Sequence, residues 1–245
     1  MDRPSAASTP PATAAAPRSD ARGLRRHLVP LAVALAAASS LALAVDLDAA
    51  RWCQAGRLPG ELKRLLNFAE VFAHGWGVAV ILLAAVALDP SLSGGQPSGS
   101  RAVFGRLGLS GDGWRMIAAT VAGGIVVDLI KAMVDRVRPR ATDLADVASA
   151  LATFGTAAAS RITSDSDINS FPSGHAAMAA GLAAALSWKY PRGTWLFAML
   201  AIAAATQRVA TSAHYPSDVL LGAALGLLGA AAFLGSPPRA LRAAA

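Results

Sequence analysis

The sequence predicts an all-α protein built as a six-helix transmembrane bundle, and three observations carry that reading. Apolar residues make up 54% of the 245 positions and charged residues only 15%, against about a quarter charged in soluble domains. The apolar residues gather into six runs, near residues 28 to 45, 68 to 88, 115 to 134, 174 to 188, 193 to 212 and 218 to 234. At about 1.5 Å rise per residue, a helical run of roughly 20 residues crosses a hydrocarbon core of about 30 Å.

Residues 1 to 27 are rich in Ala, Pro, Ser and Thr, end in ARGLRRH, and carry too few large apolar side chains to pack, so they read as a disordered basic tail. Residues 28 to 234 form the membrane domain, and 235 to 245 a short C-terminal tail. The first run also resembles a cleaved signal peptide, because RGLRR precedes it and Ala42-Leu43-Ala44 resembles a cleavage site; cleavage would leave the remaining topology unchanged. The fourth run is barely fifteen residues and rich in Ala and Gly, which suits close helix packing in lipid.

The net charge of +7 is scattered between apolar segments rather than gathered into a stripe, which argues against nucleic acid as a partner and for a membrane surface or an anionic substrate. Cys53 is the one cysteine and cannot make an internal disulfide. With a cytoplasmic tail, twelve of the 22 basic residues fall on the cytoplasmic side, a weak positive-inside bias that sharpens once Lys131, Arg138 and Arg208 are set aside as site residues.

Three polar clusters interrupt the apolar pattern. In KAMVDRVRPR, Lys131 and Arg138 are seven apart, about two helical turns, and would share a face up to the stop at Pro139; alternatively Lys131 snorkels or pairs with Asp128 or Asp135. In FPSGHAAMAAG, Ser173 is a good N-cap, Gly174 lets a ligand approach the backbone, and the helix N-terminus offers N–H groups and a positive dipole end to an anion. An ordinary cap would explain everything there except His175. In QRVATSAHYPSDVL, Arg208 precedes His214 by six and Asp218 follows it by four, so a helix containing both, or a turn at Pro216, lets the carboxylate fix the imidazole tautomer. A capped helix start with a surface histidine is the plainer alternative.

Counting crossings brings the three clusters together. The end of the third run, the start of the fourth, the end of the fifth and the start of the sixth reach the same membrane face, so Lys131, Arg138, His175, Arg208, His214 and Asp218 meet at one depth, where such residues are costly. Three cations would repel a divalent metal and suit a tetrahedral oxyanion, above all phosphate, so neither metal nor cofactor is expected. His214, backed by Asp218, is the candidate nucleophile, and His175 the candidate general acid.

These residues resemble the type 2 phosphatidic acid phosphatase family, related to vanadium haloperoxidases. Its motifs appear as Lys131 with Arg138-Pro139, as Pro172-Ser173-Gly174-His175, and as Arg208 with His214 and Asp218, all within residues 131 to 218. The resemblance implies a six-helix membrane bundle in a bacterial inner membrane, with an extracytoplasmic site that hydrolyses a lipid phosphate monoester or diphosphate through a phosphohistidine, without metal. In that site Lys131, Arg138, Ser173, Gly174 and Arg208 hold the phosphate and His214 is the nucleophile. Gln207 departs from the serine usual before the arginine. Two competing readings are a vanadate-dependent haloperoxidase, disfavoured by the apolar runs, and a non-catalytic anion-binding membrane protein, disfavoured by the intact His-His-Asp set. The 140 to 171 loop is a candidate cover for the pocket, and Glu70 and His74 are candidate lining residues.

Overall fold

The computed structural model describes residues 22–93, 108–159, 162 and 164–234. The expected tail over 1–21, the middle of the 89 to 114 loop and the C-terminal tail over 235–245 lie outside the described residues. Ten α-helices are seen among them: α1 Arg22–Ala42, α2 Asp46–Gln54, α3 Gly60–Ala69, α4 Gly75–Leu88, α5 Gly111–Lys131, α6 Thr156–Ala159, α7 Asp165–Ile168, α8 Gly174–Lys189, α9 Thr194–Ala210 and α10 Pro216–Phe233. No strand is formed among the described residues, only isolated bridges at Ser93, Arg136 and their partners. The all-α expectation holds, and each of the six apolar runs contains a helix.

Three boundaries differ from expectation. Residues 22–27 belong to the first turns of α1 rather than to a disordered tail, because Leu24, Arg25 and Arg26 are good helix formers that outweigh the single Gly23 and lead directly into an apolar run. The second run is not one rod: Gly60–Phe72 and Gly75–Leu88 are bent by 61°, with His74 extended as the cap of α4. The helices α2 and α3, charged and short, escape an analysis that looks for apolar length. Among the described residues two helices, Gly111–Lys131 and Pro216–Phe233, are long and apolar enough to cross a membrane, or up to four spans if each bent pair counts as one, so six spans are not seen. At 16 and 17 residues, α8 and α9 reach only roughly 24 to 26 Å.

The centre of the fold is α8, buried on every side from Ala179 to Lys189, as expected for a helix that is apolar all round. It packs against α5, α9 and α10, and α10 packs also against α1 and α5. Glycines let these backbones touch. A Cβ at Gly226 would lie 2.2 Å from the Ala177 carbonyl oxygen, one at Gly222 2.2 Å from that of Ser173, and one at Gly181 2.7 Å from that of Thr120. The contacts are the small-residue interfaces that lipid favours, where packing rather than water exclusion drives helix association. Large apolar side chains point outward instead, among them Trp76, Leu83 and Leu88 on α4, Leu129 on α5 and Trp195 and Met199 on α9.

Close approach at Gly226 makes a definite prediction. Gly226→Ala forces α8 and α10 apart and should cost about 1–3 kcal/mol, lowering the thermal unfolding midpoint in detergent micelles. Gly60→Ala, where a Cβ meets nothing within 4 Å, should leave the midpoint unchanged.

Candidate active site

The first motif does not sit on one helix face. Helix α5 ends at Lys131, and Arg138 is extended, at φ −67° and ψ 149°, because a residue before proline is pushed out of the helical region. The strand-like segment is anchored elsewhere: Arg136 N–H donates to the Ile168 carbonyl at 2.8 Å, Val137 N–H to that of Thr153 at 2.9 Å and Arg138 N–H to that of Asp167 at 2.7 Å. Neither Asp128 nor Asp135 forms an ion pair with Lys131 among the described residues, and the ammonium at the end of α5 lies within electrostatic reach of Arg138, Asp128 and Asp218.

The second motif opens α8. Ser173 is fully buried; its Oγ accepts from Ala176 N–H at 3.4 Å, and its own N–H donates to the Asp218 carbonyl at 2.9 Å. The hydroxyl therefore serves as the helix cap, and the backbone N–H ties α8 to α10. Gly174 is not explained by crowding, since a Cβ there would meet only Val127 Cγ1 at 3.8 Å. The His175 ring lies 5.8 Å from that of His74, and its Nε2 is buried without a hydrogen-bond partner in the protein.

The third motif is a tight turn. Helix α9 stops at Ala210, Ser212 is left-handed at φ 54°, and the chain doubles back so that the Ala213 and His214 N–H groups both donate to the Arg208 carbonyl, at 3.0 and 3.2 Å. That conformation is sparsely populated by residues other than glycine and is tolerated where the surroundings over-determine it. His214 precedes α10 instead of lying on it, and Asp218 occupies the third helical position, where its Oδ2 accepts from Tyr215 N–H at 2.9 Å.

These turns fix the imidazole. His214 Nδ1 lies 2.7 Å from the Ser170 carbonyl oxygen and 3.6 Å from Asp218 Oδ2. A carbonyl only accepts, so Nδ1 carries the proton and Nε2 is left with its lone pair. The carboxylate therefore supports the ring at second remove, and the backbone carbonyl of Ser170 sets the tautomer. Ser170 Oγ in turn donates to Asp218 Oδ2 at 2.5 Å. Nε2 faces Arg138, whose Nη1 is 3.5 Å away. Only 2% of His214 is exposed, and this burial pushes the imidazole pKa below its ordinary value, with Arg138 and Lys131 acting in the same direction and Asp218 opposing them.

The loop over 140 to 171 is a wall of the site. Arg138 Nε donates to the Ser166 carbonyl at 2.6 Å, and Arg140 pairs with Asp167 at 2.7 Å; residues 160, 161 and 163 of that loop lie outside the described residues. Glu70 and His74 lie at the site as well. Arg208 Nη1 pairs with Glu70 Oε1 at 3.0 Å, and Gln207 Nε2 donates to Glu70 Oε2 at 3.1 Å and to Asn67 Oδ1 at 3.3 Å. Gln207 thus points to α3 and holds the carboxylate against Arg208.

Sequence reasoning passed over Arg136 and Asp46. Arg136 is fully buried, pairs through Nη1 with Asp218 and through Nη2 with Asp46 at 2.7 Å, and lies between the rings of Phe154 and Tyr215 with centroids 4.3 and 4.1 Å from its guanidinium carbon. The only signal available was an extra arginine two residues before Arg138, indistinguishable from a surface charge without its distant partners.

Comparison with known proteins gives a consistent answer. The PAP2 superfamily profile matches residues 112–242, just over half of the chain. The chain is 32% identical over 106 residues to a lipid A 1-phosphatase of Rhizobium johnstonii, covering 43% of this chain and 40% of that protein. It is 30% identical over 111 residues to a lipid A 1-phosphatase of Rhizobium etli, covering 45% and 44%. The matched stretches thus span less than half the length of these curated relatives. No solved structure matches the chain.

The charge arrangement predicts oxyanion affinity. Arg208→Ala should weaken orthovanadate binding to the purified protein about 10- to 100-fold, the worth of a charge-assisted hydrogen bond. Glu70→Gln, which removes a competing carboxylate from the same guanidinium, should tighten it severalfold. Isothermal titration in micelles measures both.

Proposed function

The chain belongs to the PAP2 superfamily, and from that premise we propose that it is an integral membrane phosphatase removing phosphate from a lipid through a phosphohistidine on His214. The observation that carries the proposal is the oriented imidazole: Nδ1 is held by the Ser170 carbonyl, Asp218 stands behind it, and the free Nε2 faces Arg138. Mere anion binding needs cations but no fixed nucleophile.

In the first step Nε2 attacks phosphorus, the bond from phosphorus to the lipid oxygen breaks, and His175 gives its proton to the departing oxygen. In the second step water attacks the phosphohistidine, His175 takes up a proton, and phosphate leaves with His214 neutral again. Asp218 stabilises the positive charge on the imidazole between the steps, while Lys131, Arg138 and Arg208 hold the nonbridging oxygens. Ser173 and Gly174 contribute through the start of α8, the N–H groups of which offer further donors to an anion.

The substrate is a lipid phosphate monoester or diphosphate. Phosphatidic acid-like and isoprenyl diphosphate-like lipids are candidates, and the names of the two curated relatives add a lipid A 1-phosphate. Hydrolysis of a panel of these lipids by the purified protein separates them. We propose further that all six apolar runs cross the membrane and that the site is extracytoplasmic. Cysteines introduced into the 140 to 171 loop and beside His214 should label from the same side, opposite to those in the 89 to 114 loop; labelling of the first two from opposite sides excludes this topology.

The two histidines should separate cleanly. His214→Ala should lose turnover and phosphoenzyme with every substrate. His175→Ala should lose about 100-fold or more with an alkyl phosphate, which leaves as a poor alkoxide, yet still phosphorylate His214 from nitrophenyl phosphate. Acid-labile radiolabel should then accumulate on His175→Ala. Label on His214→Ala but not on His175→Ala reverses the assignment.

A further inference from the structure

Arg136 and Asp46 belong to no part of the phosphate site, yet both are fully buried at its back. Asp46 is the first residue of α2. Its carboxylate accepts from Arg136 Nη2 at 2.7 Å, from Ser217 N–H at 3.0 Å and from Ser217 Oγ. Arg136 also donates from Nη1 to Asp218 and, at 2.8 Å, to Ser217 Oγ, and from Nε to Thr153 Oγ1 at 3.0 Å. Every polar atom of the guanidinium is occupied by protein.

The composition of this group is informative. One buried arginine would be neutralised by Asp218 alone, and a second buried carboxylate is costly unless it serves a purpose. With Asp46 present, the guanidinium is shared between two acids and the group keeps a net charge of −1. That charge stands behind His214, whose other charged neighbours are cations: Arg138 from the segment after α5, Lys131 from the end of α5, and, when protonated, His175 from α8, with Arg208 on α9 close to His175.

We propose that Asp46 and Arg136 are positioning residues that set the negative charge seen by the His214 imidazole, Asp46 by sharing the guanidinium that Asp218 would otherwise neutralise alone and Arg136 by fixing the Asp218 carboxylate toward the ring. The proposal rests on His214 being the nucleophile for its catalytic meaning, but the charge coupling itself is independent of turnover. Removing Asp46 leaves the arginine's full charge on Asp218, so the imidazolium loses support and its pKa falls. Removing Arg136 exposes two carboxylates to the ring, so its pKa rises. A purely structural role would lower activity or stability without moving the pKa in opposite directions.

The test is a pH titration of the histidine rings by nitrogen-15 NMR on the full chain in micelles, with His214→Ala assigning the resonance. Asp46→Asn should lower the His214 pKa by about half a unit or more, the scale of one charge acting through protein of effective dielectric near 20. Arg136→Gln should raise it, and Arg136→Lys should stay nearer the wild-type value than Arg136→Gln. If Arg136→Gln fails to fold, the isosteric Asp46→Asn decides alone: a downward shift supports the coupling, and no shift or an upward one overturns it. Equal pKa values in all variants, or shifts of one sign, also overturn it. The acid limb of lipid phosphate hydrolysis should move with the ring. Ring shifts without any hydrolysis would discard the proposed function and keep the coupling, whereas hydrolysis with unmoved rings would do the reverse.

Discussion

A buried guanidinium held between two carboxylates is the interaction on which the rest of the site depends. Arg136 joins the segment after α5 to Asp46 at the start of α2 and to Asp218 at the start of α10. Breaking a buried ion pair on one side leaves an uncompensated charge and costs several kcal/mol, so these three segments are held in one relative position. His214 inherits its place from that arrangement. It follows α9 by a strained turn, precedes α10 by two residues, and contacts the Ser170 carbonyl, whose own hydroxyl is tied to Asp218.

Helix packing and site chemistry are linked by backbone contact. Glycine at 222 lets α10 approach the start of α8 at the Ser173 carbonyl, and Ser173 N–H reaches the Asp218 carbonyl across the same contact. The second and third motifs are thus joined by main-chain atoms, which do not change rotamer. Two of the candidate ligand-binding side chains carry no such structural duty. Lys131 forms no ion pair among the described residues, and His175 Nε2 has no protein partner. The Ser173 hydroxyl is engaged as a cap, Arg138 donates to the Ser166 carbonyl and Arg208 pairs with Glu70.

Electrostatically the site has two layers. On one side lie Arg138 and Lys131, which lower the basicity of His214 together with its burial, and Arg208 beside His175; behind the ring lie Asp218, Arg136 and Asp46. In the proposed mechanism a neutral imidazole with a free lone pair is the reactive form, and a charge of −1 at its back favours the cation formed as that lone pair is used. Glu70 and Gln207 add a third element at the edge, occupying Arg208 from the side of α3.

How much was legible follows from what each feature requires. The sequence by itself determined the helical class, the apolar runs and the identity of the three cations, two histidines and Asp218, because hydrophobic length and motif spacing are local properties of the chain. It also pointed to Glu70 and His74, which the fold brings to Arg208 and His175. Only the tertiary structure decided that Lys131 and Arg138 meet across a helix end rather than along a helix face, since hydrogen bonds to residues 153, 167 and 168 hold the segment extended. It decided, too, that a backbone carbonyl rather than Asp218 sets the tautomer of His214, and that Arg136 is an interior charge. Residues 90 and 82 positions apart from Arg136 provide its partners, and a contact across that separation leaves no periodicity or spacing in the chain from which to read it.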